Sequence, residues 1–221
     1  MRRNHLMPPP QQIEISGNSF ERVQDFKYLG ALVTTSNENM GIKERLKAGH
    51  RAYYSLQKLL KSRLLSRETK KKVYRTVLRP VVMYSCESWV MTSRDEILLN
   101  TWERKILRRI YGPVAEAGLW RSRTNEEVYS LYGEPSLVTE IKRARIRWLG
   151  HVERMPSERA ARKSANEKPE GRRLRGRPRK RWLEDVEEDL RELGVRRWRQ
   201  KAADRDEWKR LRLWKGRRAR G

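Results

Sequence analysis

The spacing of apolar residues changes period once along the chain, and that change limits what the chain can fold into. Ile13 and Ile15 alternate with polar residues, Gly17-Asn18 supplies a turn, and a second extended run over residues 20–33 ends in β-branched side chains. Alternation with a turn between reads as a β-hairpin. Gly30 falls inside the second run, where a missing side chain marks a bulge or the close approach of another backbone. Three consecutive prolines, Pro8, Pro9 and Pro10, exclude helix before the hairpin, so residues 1–11 read as a disordered leader. From residue 40 the period is that of a helix. The stretch FERVQDFKYLGALVTT at 20–35 is therefore the junction between a small β piece and a helical body.

The helical body divides at its caps and breakers. Asn37 and Asn39 can start a helix in which Ile42, Leu46, Tyr53, Leu56, Leu59 and Leu60 form one stripe, with Lys43, Lys47, Arg51, Lys58 and Lys61 opposite. Ser66 caps a second helix with Val73, Tyr74, Val77 and Leu78 inward; Pro80 kinks it, and the apolar run 81–84 predicts that it resumes. Ser93 with Glu96 forms a capping box for a third, with Ile97, Leu98, Trp102, Ile106, Leu107 and Ile110 inward, ended by Gly112-Pro113. A three-helix bundle is expected here. Beyond a looser segment at 113–123, Thr124 with Glu127 and then Ser136 start two more helices. The second of these carries the stripe Ile141, Ala144, Trp148, Val152 and Met155, with Lys142, Arg143, Arg145, Arg147 and Arg154 expected on an arginine face. Trp182, Val186, Leu190 and Leu193 predict a further helix ended by Gly194, and the tryptophans at 198 and 208 predict a small second core. The fold class expected is mainly α: an N-terminal β-hairpin, a three-helix bundle and a smaller basic helical C-terminal domain.

Charge decides which partners such a body can have. The formal net charge is +25, and apolar and charged residues each make up 37%, so the core must come from amphipathic helices with broad solvated faces. A surface this basic is neutralised by a polyanion. A nucleic acid fits that role better than a membrane: no apolar run approaches the roughly 18 residues of a spanning helix. Cys86 is the only cysteine, so no disulfide forms within the chain, and His5, His50 and His151 are too scattered for zinc-ligand spacing. Cys86 reads as a small buried filler rather than a nucleophile. His151 reads as a packing or hydrogen-bonding residue. Glu184, Asp185, Glu187, Glu188 and Asp189 form the one dense acidic patch, and helical carboxylates flanked by arginines read as salt-bridged rather than metal-binding.

The run GRRLRGRPRKR at 171–181 holds seven basic residues and no acidic one. Its centre, Arg175-Gly176-Arg177-Pro178, matches an AT-hook, in which an extended segment lies in a narrow minor groove. General phosphate binding and a solvated connector are the other readings, and so basic a run also suits a nuclear-localisation signal.

Four blocks in order, FKYLG (26–30), LRPVVMYSCESW (78–89), RIRWLGHVERMP (145–156) and GRPRKRWLEDV (176–186), resemble the C-terminal part of non-LTR (LINE-type) retrotransposon reverse transcriptases. The resemblance implies a palm-end hairpin, the primer grip, at 12–35; a thumb at 36–112; a linker and basic Trp helix at 113–158; a basic linker at 159–181; and C-terminal helices with a basic tail at 182–221. It implies primer contacts at Phe26, Lys27, Tyr28, Leu29 and Gly30. By charge, Arg143, Arg147, Arg172, Arg173, Arg175, Arg177 and Arg179 are the expected backbone contacts. The partners implied are template RNA and primer DNA, together with a catalytic palm. The family's paired catalytic aspartates have no counterpart: none of Asp25, Asp95, Asp185, Asp189, Asp204 and Asp206 lies in an aromatic-x-Asp-Asp turn. No catalytic residue is therefore assigned, no cofactor is expected in this chain, and Mg²⁺ would belong to the absent palm. The family's Cys/His knuckle is missing as well. A chain of this kind binds primer and template without polymerising by itself; an AT-hook-like architectural DNA-binding protein and a non-functional retrotransposon relic are the alternatives.

Overall fold

The computed structural model describes residues 12–28, 30–34, 40–167 and 180–211. The molecule is mainly helical, with an N-terminal antiparallel hairpin leading into a succession of helices. Among the described residues no helix is long and apolar enough to cross a membrane.

The single hairpin expected at the N-terminus is two. Strands β1 (Gln12–Ile15) and β2 (Asn18–Glu21) pair antiparallel, as do β3 (Asp25–Tyr28) and β4 (Ala31–Thr34). The first turn sits one residue earlier than expected, at Ser16 and Gly17, both with positive φ, as a two-residue hairpin turn that matches strand twist requires. Gly30 is likewise a turn residue, not a bulge within a strand: its φ of +81° lets the 20–33 run fold back on itself between Tyr28 and Ala31. Every residue of β1, β2 and β3 is exposed.

Helix α1 (Met40–Ser55) buries Ile42, Leu46 and Tyr53, as its spacing predicts, and the short α2 (Gln57–Lys61) adds Leu60. Gly49 is where α1 comes closest to its neighbours. A Cβ there would lie 2.4 Å from Val82 and 2.9 Å from Trp102, so any side chain would push the helices apart.

Helix α3 (Arg67–Val73) starts at Ser66, whose hydroxyl accepts from the Thr69 amide at 3.1 Å. It passes through a π-helical turn (Tyr74–Leu78) into α4 (Arg79–Met83), which carries Pro80 in its first turn. A proline inside a helix lacks a donor and presses on the preceding turn; the extra residue of the π turn provides the room. That extra residue also explains an inward set only half right. Tyr74 and Leu78 are buried, but Val77 is rotated outward and is 46% exposed.

Helix α5 (Ser93–Tyr111) is capped one residue earlier than expected, by Thr92 with Asp95. The Thr92 amide donates to the Asp95 carboxylate at 2.9 Å and the hydroxyl accepts from the Asp95 amide at 3.3 Å. Trp102, Ile106, Leu107 and Ile110 face inward as expected, but Ile97 and Leu98 are exposed and Leu99 takes the buried place, which continues the stripe at three and four. Within the looser 113–123 segment a third hairpin forms from β5 (Val114–Glu116) and β6 (Leu119–Arg121). Helices α6 (Asn125–Tyr132) and α7 (Leu137–Glu153) begin at the expected caps, the Thr124/Glu127 box and Ser136. The remaining helices are α8 (Ala160–Asn166), inside the stretch read as linker, α9 (Trp182–Glu192), α10 (Trp198–Ala203) and α11 (Arg205–Leu211).

Two cores result. The first runs from Ile42 to Ala144 and takes in α1, the α3–α4 rod, α5, α6 and the first half of α7. At its centre the fully buried Glu103 carboxylate accepts from Tyr74 at 2.6 Å, Tyr129 at 3.1 Å and the Leu137 amide at 2.8 Å, so one acid ties four segments together. Burial raises the Glu103 carboxyl above its ordinary range and raises the Tyr74 hydroxyl with it.

The second core joins Ile146 and Leu149 of α7 to Val186, Leu190, Trp198, Ala202 and Trp208, the small tryptophan core expected. Trp208 packs flat against Gly150, where a Cβ would lie 2.0 Å from its ring nitrogen, and that nitrogen donates to the Ile146 carbonyl at 3.0 Å.

Candidate nucleic-acid interface

Helix α7 was expected to present a tryptophan side inward and an arginine side outward, and the structure reverses both at its middle. Arg145 is 1% exposed and pairs with Asp185 and, at 3.2 Å, with Asp189. Trp148 stands at the surface beside His151, their ring centroids 5.3 Å apart. The cause is that α7 is covered on two sides, by α5 along its first half and by α9, α10 and α11 along its second. A charged side chain at the crossover has no route to water, and the α9 carboxylates supply its counter-charge. Asp185 also accepts from the Met91 amide at 3.1 Å, and Lys142 reaches Asp189 at 3.0 Å and Glu96 at 3.2 Å. The acidic patch on α9 is thus salt-bridged, as its flanking arginines suggested; Lys180 pairs with Glu188 in the same way.

Above this network lies a cleft of about 960 Å³, walled by the β3–β4 hairpin, α1, the 84–94 segment and α9. Alternation along β3 sorts the hairpin's side chains. Lys27 and its cross-strand partner Leu32 line the cleft, whereas Phe26 and Tyr28 point to the opposite face. There they are 55% and 61% exposed, with rings nearly parallel at 24° and centroids 6.4 Å apart. The hairpin is pinned at its turn: the Arg45 guanidinium donates to the Gly30 carbonyl while lying over the Tyr84 ring at 4.3 Å. A side chain at residue 30 would crowd that guanidinium at 3.2 Å, so the Arg45 tip would have to shift, and the positive φ is what favours glycine here.

The cleft is divided electrically. On the α7–α9 side its cations, Lys142, Arg145 and Lys180, are spent on Asp185, Glu188 and Asp189. Three other lining cations, Lys27 on the hairpin, Arg51 on α1 and Arg94 at the start of α5, have no carboxylate partner among the described residues. An exposed aromatic pair on one face of the hairpin and unneutralised cations in the cleft behind its other face offer surfaces for stacking bases and for holding phosphates.

Of the residues singled out in the sequence, the hairpin therefore assembles Phe26, Lys27, Tyr28 and Gly30. Arg143 is half-buried and ion-paired at 2.5 Å with Glu140, a carboxylate it shares with Arg79, while Arg147 is exposed on α7. Leu29, Arg172, Arg173, Arg175, Arg177 and Arg179 lie outside the described residues, and the AT-hook core with them. Sequence reasoning missed Arg45, Tyr84 and Arg94. Arg45 meets Gly30 across 15 positions and Tyr84 across the bundle, contacts that leave no periodic trace.

Cys86 is 1% exposed and burial pushes its thiol up to about 12, as befits a filler. Glu103 is enclosed by its own donors. Among the described residues no group of three or more His, Cys, Asp or Glu side chains converges on a metal position. Comparison with family models, curated proteins and solved structures finds no match.

Proposed function

We propose that this chain is the primer-grip, thumb and C-terminal part of a LINE-type reverse transcriptase, and that it holds template RNA and primer DNA for a catalytic palm it does not itself carry. The observation that carries this reading is the hairpin. Phe26 and Tyr28 offer two bases' worth of aromatic surface to solvent, Lys27 faces a cleft with two further unpaired cations, and Arg45 fixes the whole to the first helix of the bundle. Exposed aromatic rings on the hairpin and cations without counter-charges in the cleft it walls match a polynucleotide, which offers flat bases and a charged backbone. The net charge of +25 supports the same class of partner.

The test is binding of the full chain to an RNA template with annealed DNA primer and to the same RNA unprimed. The variant carrying both Phe26→Ala and Tyr28→Ala should lose the preference for the primed form while its thermal midpoint stays where it was. Equal preference in variant and parent would reject the assignment of the hairpin to the primer.

A further inference from the structure

The third hairpin, β5–β6, also turns large apolar side chains to water. Leu119 and Trp120 are 76% and 74% exposed. As successive strand residues they lie on opposite faces, so the ribbon is bare on both sides. Trp120 stands across from Ala115, whose methyl group leaves the indole face open. None of these residues lines the hairpin-side cleft.

The ribbon is not a loose loop. Ala117 and Gly118 both have positive φ, a tight two-residue turn, and the root is tied three ways. Arg121 bonds Glu116 and reaches Glu127 at 2.7 and 2.9 Å; the Arg123 Nε donates to the Gly112 carbonyl at 3.1 Å; Arg108 donates to the Arg123 carbonyl at 3.1 Å and to Asn125 at 2.7 Å. A rigid root presenting a bare indole is preorganised, since binding need not order the ribbon first.

Charge indicates the occupant. Residues 108–123 contain four arginines and one glutamate. Arg121 is neutralised by Glu116 and Glu127; Arg108 donates only to neutral acceptors, Arg123 donates to the Gly112 carbonyl and also helps lower the Glu127 carboxyl, and Arg109 is exposed. An exposed indole on a ribbon whose root carries Arg108, Arg109 and Arg123 suits a flat aromatic ligand carrying phosphate. We infer that Trp120 is a stacking site for an unpaired nucleobase of a single-stranded nucleic acid, with Arg108, Arg109 and Arg123 meeting the adjoining phosphates.

This rests on the nucleic-acid reading above, yet its failure can be told apart from failure of that reading. The full chain and its Trp120→Ala and Trp120→Phe variants are titrated with a fluorescent single-stranded oligonucleotide, with the same strand made abasic, and with blunt duplex. Trp120→Ala should weaken single-strand binding about tenfold. It should leave the abasic strand, the duplex and the thermal midpoint unchanged, and Trp120→Phe should recover most of the loss. If the parent chain binds strand and duplex but Trp120→Ala binds the normal strand equally well, the inference falls alone. An equal loss on the abasic strand overturns stacking. A shift from dimer to monomer on sedimentation of Trp120→Ala, with strand binding intact, gives the ribbon to a second copy instead. No binding to any nucleic acid removes both this inference and the reading beneath it.

Discussion

The helical body and the hairpins spend their side chains in opposite ways. In the body even charged groups are enclosed and matched: Glu103 by two tyrosines and an amide, Arg145 by two aspartates. In the hairpins the aromatic residues Phe20, Phe26, Tyr28 and Trp120 are all more than half exposed. A folded chain gains nothing by leaving large rings in water, and Phe26 and Tyr28 do so on a hairpin whose Lys27 has no carboxylate partner among the described residues. On the proposed reading, stability resides in the helices and recognition in the ribbons. Substitutions in one region should move quantities that substitutions in the other leave alone.

The sharpest break should come at Arg145. Replacing it by alanine leaves Asp185 and Asp189 buried without their main counter-charge, and chemical denaturation should show a loss of about 3–5 kcal/mol. Glu103→Leu should follow, stranding three buried donors at a cost of roughly 2–4 kcal/mol. The Glu103 carboxyl has a raised value in the folded state, so the folded protein binds that proton more tightly than the unfolded one. Its contribution is fully present below its ordinary value of 4.5 and is lost as pH rises through the raised value. The stability of the parent relative to Glu103→Gln should therefore fall over that window in urea titrations repeated across pH. Gly150→Ala, which drives a methyl group into Trp208, should cost about 1–3 kcal/mol and loosen the second core first, read as earlier exchange of the α10 and α11 amides.

Smaller effects belong to the ribbons, where the variable that moves is binding. Lys27→Ala should leave the denaturation midpoint unchanged and reduce the salt slope of nucleic-acid binding by about 1. A fall in stability instead would mean that the hairpin is structural, and the contrast between the regions would collapse.

What could be read from the sequence follows the range of the forces involved. Caps and breakers act within four residues, and Ser66, Thr124 with Glu127, Ser136, Gly112 and Gly133 all sit where local rules put them. The tryptophan core and the salt-bridged α9 patch were legible from spacing and from the mix of charges. Features set by distant neighbours were not. A helix covered on two sides buries an arginine that periodicity assigns to the surface, and a π turn rotates Val77 outward. In the candidate site the FKYLG run was legible, but its anchor Arg45 and the cleft with Arg94 were not, because they arise only when α1, the hairpin and the 84–94 segment meet. The bare Trp120 ribbon lay in a segment that reads simply as loose.

The most direct measurement of the central claim is a salt titration of the full chain against primed RNA template, single-stranded RNA and A·T-rich duplex DNA. The account predicts a steep loss of affinity with salt, on the order of 10³–10⁵ between 50 and 200 mM if six to ten phosphates are held. It also predicts the tightest binding for the primed template at every salt concentration. Tighter binding to A·T-rich duplex, or no binding at physiological salt, would contradict it.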